Sequence, residues 1–346
     1  MSVDHAASFS SSLSVSSTLS PWALCVAPMI DVTDRHCRYF HRLLAPHARL
    51  YTEMITTSAL HYGDVPRLLG FDASEHPVAL QLGGNEPAAL AASAKLGQQW
   101  GYDEINLNCG CPSERVQKGG FGAYLMAELP TVLDGIKAMQ DAVSVPVTVK
   151  HRLGLGYEQH YPFVQDFVGQ LVNIGVEVFI VHARNAVLEG LSPKQNREVP
   201  PLRYDFAYQL TQDFPSVTFV LNGGLSTTQQ CVDQLKDFPG VMLGRAAWHT
   251  PGILRELSLA LWPQATHLGE AEIVEQMVAY AEHTVQQGLS LRTAIQAMLG
   301  WPHGKIGARA WRRTLSDAQA LKANDPQLLN QAWATLQAQN PVTVMA

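Results

Sequence analysis

From residue 21 onward, short apolar runs rich in β-branched residues alternate with longer segments whose apolar positions recur at helical spacing. The runs lie at 24–29, 49–53, 78–82, 104–108, 147–151, 178–182, 218–222 and 241–245. Segments such as 87–100, 129–143, 162–174 and 227–235 carry the helical period between them. Eight strands in strict alternation with helices imply a parallel sheet, and eight is the number that closes. The pattern therefore predicts an α/β fold, a (β/α)8 TIM barrel. An open doubly wound sheet is the rival, but the GxGxxG that would follow its first strand is missing.

The alternation stops after about residue 261. Residues 270–287 place Ile273, Met277, Tyr280 and Val285 near one helix face, with Gly288 positioned to end it. Residues 291–299 continue as a second helix. Ser316 with Gln319 has the form of a capping box, and Asp325-Pro326 that of an N-cap with proline in the first turn. The chain thus divides into a serine-rich tail (1–20), a barrel (21–262) and a small C-terminal all-helical domain (263–346).

Length agrees with this division, since 346 residues exceed a barrel of about 250 by one small module. Net charge is −6, so no global positive field draws nucleic acid, and any basic surface must be local. The five cysteines, Cys25, Cys37, Cys109, Cys111 and Cys231, form no CxxC pair and no disulfide framework, which points to a reducing compartment. Nine serines and no Lys or Arg in the first twenty residues lack the features of a secretory or mitochondrial signal. That segment is expected to be a disordered tail. No apolar stretch reaches the ~18 residues that span a bilayer, so no membrane partner and a cytoplasmic location are expected.

Chemistry concentrates at the strand ends. Barrel interiors are filled with apolar side chains, so a polar residue at a strand's last position points into the site above the barrel. The runs end in Glu53, Gln81, Asn108, Lys150, His182, Asn222 and Arg245. One such residue could simply mark a strand meeting solvent; seven make that a poor account. Asn222-Gly223-Gly224 and Gly244-Arg245 close the last two strands, where barrels usually hold a phosphate. Glycine lets backbone N–H groups approach an anion, and Arg245 would add a charge-assisted clamp. Two ordinary tight turns are the bland alternative.

The fourth run leads into Asn108-Cys109-Gly110-Cys111-Pro112-Ser113. Gly110 allows a sharp turn and Pro112 biases Cys111 toward extended backbone, so the thiol is held in one orientation. Cys111 could be structural, a metal ligand or a catalytic thiol. Buried structural cysteines are rare in Gly/Pro loops, and the loop lacks further metal ligands, which favours a nucleophile or proton donor. The stretch 118–122 (KGGFG) suits a mobile lid. An aldolase Schiff base on Lys150 would leave Cys111 and the glycine turns without linked roles. A metal-dependent hydrolase would need a histidine pair on the first strand and an acid on the last, which read Leu24-Cys25-Val26-Ala27-Pro28-Met29 and Gly244-Arg245 instead.

On these motifs the chain resembles the tRNA-dihydrouridine synthases, most closely their A-type branch. Ala27-Pro28-Met29, Asn108-Cys109-Gly110-Cys111-Pro112, Lys150-His151-Arg152, Asn222-Gly223-Gly224 and Gly244-Arg245 carry the resemblance, which covers 24 to about 315. It implies an FMN at the barrel mouth, reduced by NADPH, and hydride transfer to the D-loop uridines U20 and U20a of tRNA. By the same resemblance Ala27, Pro28 and Met29 lie against the flavin and Gln81 bonds its ring. Lys150 and His182 contact its ring or ribityl chain, and Asn222, Gly223, Gly224, Gly244 and Arg245 hold its phosphate. Cys111 becomes the proton donor and Asn108 orients the substrate. Saturating the uracil 5,6 bond does require a hydride on one carbon and a proton on the other, and an ordinary thiol is still protonated near pH 7.

A base inside folded tRNA must be exposed before a barrel can reach it. Residues 303–313 (HGKIGARAWRR) hold Lys305, Arg309, Arg312 and Arg313 and no acid, a local +4 patch expected to bind tRNA unless it is merely a solvated helix face. Lys194 and Arg197 are weaker candidates for that role, with Glu189 and Glu198 nearby. No obligate protein partner is evident. Two other readings stay open: a dihydroorotate dehydrogenase-like flavin barrel acting on a small molecule, and a tRNA-binding protein with the barrel as scaffold.

Overall fold

The computed structural model describes residues 19–339. Most of the expected tail, 1–18, therefore lies outside the described residues. Eight parallel strands form a closed barrel in sequence order: β1 Leu24–Val26, β2 Arg49–Thr56, β3 Val78–Gly83, β4 Glu104–Cys109, β5 Val147–Arg152, β6 Val178–His182, β7 Thr218–Asn222 and β8 Gly240–Leu243. Closure is made by β1 against β8, with Leu24 opposite Val241 and Val26 opposite Leu243. The register of β2 on β3 shifts between Tyr51 and Met54, a local irregularity near the mouth. β8 ends at Leu243, two residues short of expectation. Arg245 instead opens a short helix, Arg245–His249, so it leaves the strand line before reaching the mouth.

Side chains of β4 explain how the barrel is filled. Successive residues of a strand face opposite sides, and here Ile105, Leu107 and Cys109 join the apolar layer between strands and helices. Glu104, Asn106 and Asn108 face the interior, all buried. The barrel's own apolar core is correspondingly small: Cys25, Ala27, Tyr51, Ala79, Ile180, Val220 and Met242. A polar column fills the rest.

The first barrel helix, α1 (Arg35–Leu44), is capped by Asp34, whose side chain accepts from the Cys37 amide at 2.8 Å. Its outer face packs on the C-terminal helices. Tyr39 stacks on Tyr280 at 3.9 Å between ring centroids, His36 and Tyr280 share a 2.8 Å hydrogen bond, and Phe40 meets Trp301 edge-on. Helix Glu270–Gln286 stops where expected, with Gln287 as its C-cap and Gly288 at φ 82°. The next helix runs only over Leu291–Ile295 and then tightens into a 3-10 turn, Gln296–Gly300. Trp311 on helix Ala308–Leu315 is fully buried and donates to the Met298 carbonyl at 2.9 Å, which satisfies its N–H inside the core.

Two local expectations change. Ser316 is the C-cap of the preceding helix and donates to the Arg312 carbonyl, so the cap of the next helix falls to Asp317, which accepts from the Ala320 amide at 2.8 Å. The glycine-rich stretch after β4 is partly helical, with turns at Glu114–Lys118 and Gly122–Ala127.

Candidate active site

The mouth of the barrel is organised around Lys150, two residues before the end of β5. Its ammonium is buried and donates to the Asn222 side-chain oxygen at 3.0 Å, while the Asn222 amide donates to the Met242 carbonyl at 2.8 Å. Burial, followed by the charge of Arg152, pulls the Lys150 pKa down to about 7, against a smaller raising effect of Cys111. One of three N–H bonds on Nζ is used by Asn222; the others are available to a ligand.

His182 ends β6 and lies over the glycine turn that follows β7. Burial, reinforced by Arg152, Lys150, Arg184 and Arg197, holds its pKa well below the usual range, so the ring is neutral at pH 7. Gly223 and Gly224 have φ of 110° and 75°, conformations that L side chains rarely adopt. A Cβ at Gly223 would lie 2.7 Å from the His182 ring, and one at Gly224 would lie 2.5 Å from Leu202. The turn is thus a close-fitting backbone cradle, pinned by Tyr204, whose hydroxyl donates to the Gly223 carbonyl at 2.5 Å. Gly244 lies beside Ala27 and Met29, and the Ala27 amide donates to Leu243 at 2.8 Å, so the ends of β1 and β8 form one wall. Pro28 and Met29 are half-buried in it.

Arg245 is exposed above this wall and ion-paired to Glu198 at 2.8 Å. Glu198 belongs to the loop after β6, as do Arg197 and Lys194, both exposed. Arg197 senses the charges of Arg245 and Glu198. Nothing draws Lys194 toward the mouth; it precedes the 3-10 turn Gln195–Arg197. Arg309, Arg312 and Arg313 are exposed along helix Ala308–Leu315, in the C-terminal helical region and apart from the mouth. Lys305, counted with them from sequence, is ion-paired to Glu270, which reduces the patch to three arginines.

Cys111 is half-buried, whereas Cys25, Cys37, Cys109 and Cys231 are buried. Asn108 holds its loop: the side-chain oxygen accepts from the amides of Gly110 at 3.1 Å and Cys111 at 2.9 Å. The Asn108 amide in turn donates to Gln81 at 2.8 Å. Burial pushes the Cys109 thiol upward, as expected for a side chain turned toward the helices. The two cysteines of the loop therefore occupy unlike environments.

Sequence reasoning named Arg152 only as part of a motif. In the fold it joins two loops, donating to the Gly110 carbonyl at 2.9 Å and to the carbonyls of Asn185 at 2.9 Å and Asn196 at 2.8 Å. His151, beside it, packs on Phe167 and Phe179, with burial lowering its pKa to about 4; it is a core residue. Glu53, expected at the end of the second strand, instead lies within β2, three residues before its end; it is half-buried and accepts from the Asp31 amide at 2.5 Å, and burial raises its pKa. Among the described residues no group of three or more His, Cys, Asp and Glu could hold a metal ion. None of the described helices is long and apolar enough to cross a membrane.

Residues 25–338 match the family model described as dihydrouridine synthase. Relatives named tRNA-dihydrouridine(20/20a) synthase are similar over most of their length. That of Xanthomonas campestris is 51% identical over 309 residues, 89% of this chain and 92% of its own. That of Pseudomonas putida is 51% identical over 314 residues, 90% and 93% of the two chains. That of Synechocystis is 48% identical over 317 residues, 91% and 94%.

Proposed function

The chain belongs to the dihydrouridine synthase family of flavin-dependent oxidoreductases, and we propose that it reduces the 5,6 double bond of the D-loop uridines U20 and U20a in tRNA, with FMN as its flavin and NADPH as reductant. Residues 21–262 are the catalytic barrel and 263–346 the RNA-binding region, acting in the cytoplasm. The observation that carries the reading is the pairing of a half-buried thiol, fixed by Asn108, with a glycine cradle and a buried lysine at one barrel mouth.

The residues present fit a flavin phosphate and an electron-rich ring. Gly223 and Gly224 bring backbone close to an anion, Asn222 and Gly244 border them, and Arg245 can turn from Glu198 to a phosphate. Ala27, Pro28 and Met29 offer an apolar wall for the ring. Gln81 and His182 supply neutral polar contacts, and Lys150 supplies a donor whose charge is available on demand near pH 7. When bound, the flavin carries the hydride chemistry; the protein orients it and tunes its electrostatics.

The chain's own part in the reaction is to place a proton. Cys111 holds it on Sγ, and Asn108 keeps the loop from sagging away from the base by accepting two of its amides. Delivery to the ring carbon opposite the hydride is general acid catalysis, a contribution of about 10²–10⁴-fold. Arg309, Arg312 and Arg313 attract the tRNA backbone, with Arg197 and Lys194, exposed in the loop after β6, as weaker contributors.

Purified protein incubated with NADPH and a tRNA transcript should convert uridine to dihydrouridine, read by nucleoside mass spectrometry, and release FMN on denaturation. Oxidation of dihydroorotate with unchanged tRNA would overturn the reading in favour of a small-molecule barrel. The match of residues 25–338 to the dihydrouridine synthase family supports the tRNA reaction over that alternative.

A further inference from the structure

A single file of hydrogen bonds runs up the inside of the barrel from Glu104 to the loop of Cys111. Glu104 is fully buried at the start of β4. Its Oε2 accepts from the Trp22 indole at 2.8 Å and is ion-paired to Arg49 at 3.2 Å. Its Oε1 accepts from the hydroxyls of Tyr51 at 2.8 Å and Thr148 at 2.5 Å. Having given its proton to Glu104, the Thr148 oxygen is left to accept, and Asn106 donates to it at 2.8 Å. The carbonyl end of Asn106 therefore faces upward, where Gln81 donates to it at 2.7 Å. Gln81 then presents its own oxygen to Asn108, which donates at 2.8 Å and turns its oxygen toward the amides of Gly110 and Cys111.

We infer that Glu104, at the floor of the barrel, is a positioning residue that sets the direction of every amide in this file and so holds Asn108 with its oxygen toward the Cys111 loop. A side-chain amide can be turned either way round, and its orientation is decided by its neighbours. A carboxylate accepts only, and backbone N–H groups donate only. The two ends of the file therefore demand the same polarity, and no member has to face like against like. This rests on the reading of Asn108 and Cys111 given above.

Glu104→Gln tests it because the change reverses what the lower end of the file asks of Thr148. Trp22 and Arg49 can only donate, so the introduced glutamine must turn its oxygen to them and its NH2 toward Tyr51 and Thr148, which can accept. If the lower end sets the direction, Thr148 turns its hydroxyl to Asn106, Asn106 and Gln81 invert, and Asn108 aims its NH2 at the Gly110 and Cys111 amides. The file now disagrees with its upper end. Adding Thr148→Val cuts the file below Asn106 and frees its upper members to follow the backbone donors again.

Hydrogen exchange of the Gly110 and Cys111 amides, read by NMR on the purified protein, reports the Asn108 contact without any turnover. Expected is exchange faster by roughly tenfold or more in Glu104→Gln, the penalty range of an unmatched buried polar group, with β7 amides unchanged. Glu104→Gln/Thr148→Val should return exchange, and dihydrouridine formation, most of the way to wild type. A merely structural role predicts the opposite, a double variant worse than either single one, and that result would overturn the inference. So would unchanged exchange in Glu104→Gln. Should Glu104→Gln fail to fold, recovery of folded, protected protein in the double variant supports the inference and failure to recover overturns it. A wild-type protein that leaves tRNA unreduced would sink the proposed function alone, since amide exchange is read independently.

Discussion

Lys150 of β5 and Asn222 of β7 meet across the intervening β6, ammonium nitrogen to amide oxygen at 3.0 Å, with the lysine buried. A buried ammonium with only neutral hydrogen-bond support is disfavoured, and its pKa falls to about 7, through burial first and Arg152 second. The unfolded chain keeps that proton up to about pH 10.4. Between about pH 7 and 10.4 the unfolded state therefore binds more protons than the native one, and Lys150 makes stability rise with pH in that window. The slope it contributes approaches about 1.4 kcal/mol per pH unit. Urea unfolding of flavin-free protein from pH 7 to 9 should show wild type gaining on Lys150→Met. Parallel profiles for the two proteins would refute the assignment.

Cys111 should be the thiol that reacts first in the native protein, because the other four are buried. Iodoacetamide followed by peptide mapping should label Cys111 ahead of Cys25, Cys37, Cys109 and Cys231. Cys111→Ala should cut dihydrouridine formation by about 10²–10⁴-fold while leaving flavin reduction by NADPH nearly intact. Cys109→Ala should instead cost about 1 kcal/mol of stability through lost packing, with turnover largely kept. Equal loss of turnover in both would reverse the roles given to this pair.

Glu198 competes with any anion in the cradle for Arg245, since the ion pair must open to free the guanidinium. Both side chains are about half exposed, so opening costs no more than about 1 kcal/mol. Arg245→Ala should weaken FMN binding by roughly tenfold or more through loss of a charge-assisted contact. Glu198→Gln should leave it equal or slightly stronger. Flavin fluorescence quenching measures both, and weaker binding in Glu198→Gln would show that Glu198 helps to hold the cofactor.

The patch on helix Ala308–Leu315 gives a prediction about RNA. Arg309, Arg312 and Arg313 fall three and four residues apart, on one exposed face, while Trp311 points into the core. Replacing Arg312 and Arg313 by alanine should weaken tRNA binding and lower the slope of log affinity against log salt by about one unit per lost phosphate contact. NADPH oxidation by free electron acceptors should not change. An unaltered slope in filter binding would assign these arginines to solubility.

The barrel is readable because β3 to β7 keep their apolar runs to within a residue of the observed bounds, and strict alternation leaves few other topologies, although β1 stops at Val26, three residues before its run does, and β2 continues three residues past its run to Thr56. β8 was overextended because Gly244-Arg245 continue its run in sequence, while the chain turns there into a helix. The polar file escaped notice for a different reason. Glu104-Ile105-Asn106-Leu107-Asn108 alternates like a strand with one wet face, and only closure of the sheet makes the polar side an interior. Arg152 and Lys305 were misjudged because their partners, Gly110, Asn196 and Glu270, lie dozens of residues away.

The stacking of α1 on the C-terminal helices sets a length. Met29 bonds to Thr33 at the entry to α1, through its amide to the hydroxyl at 2.9 Å, and Arg38 within the helix donates back to the Thr33 carbonyl at 2.9 Å. One turn of α1 separates that loop from Tyr39 and Phe40, which are held by Tyr280 and Trp301. Apolar contact of this kind ties the start of the barrel to the helices that carry Arg309, Arg312 and Arg313, much as the back of a caliper joins its jaws. If those arginines hold tRNA and Cys111 supplies the proton, as proposed, this packing sets the reach between them, and a spacer inserted between Trp262 and Glu270 should shift which D-loop base is modified.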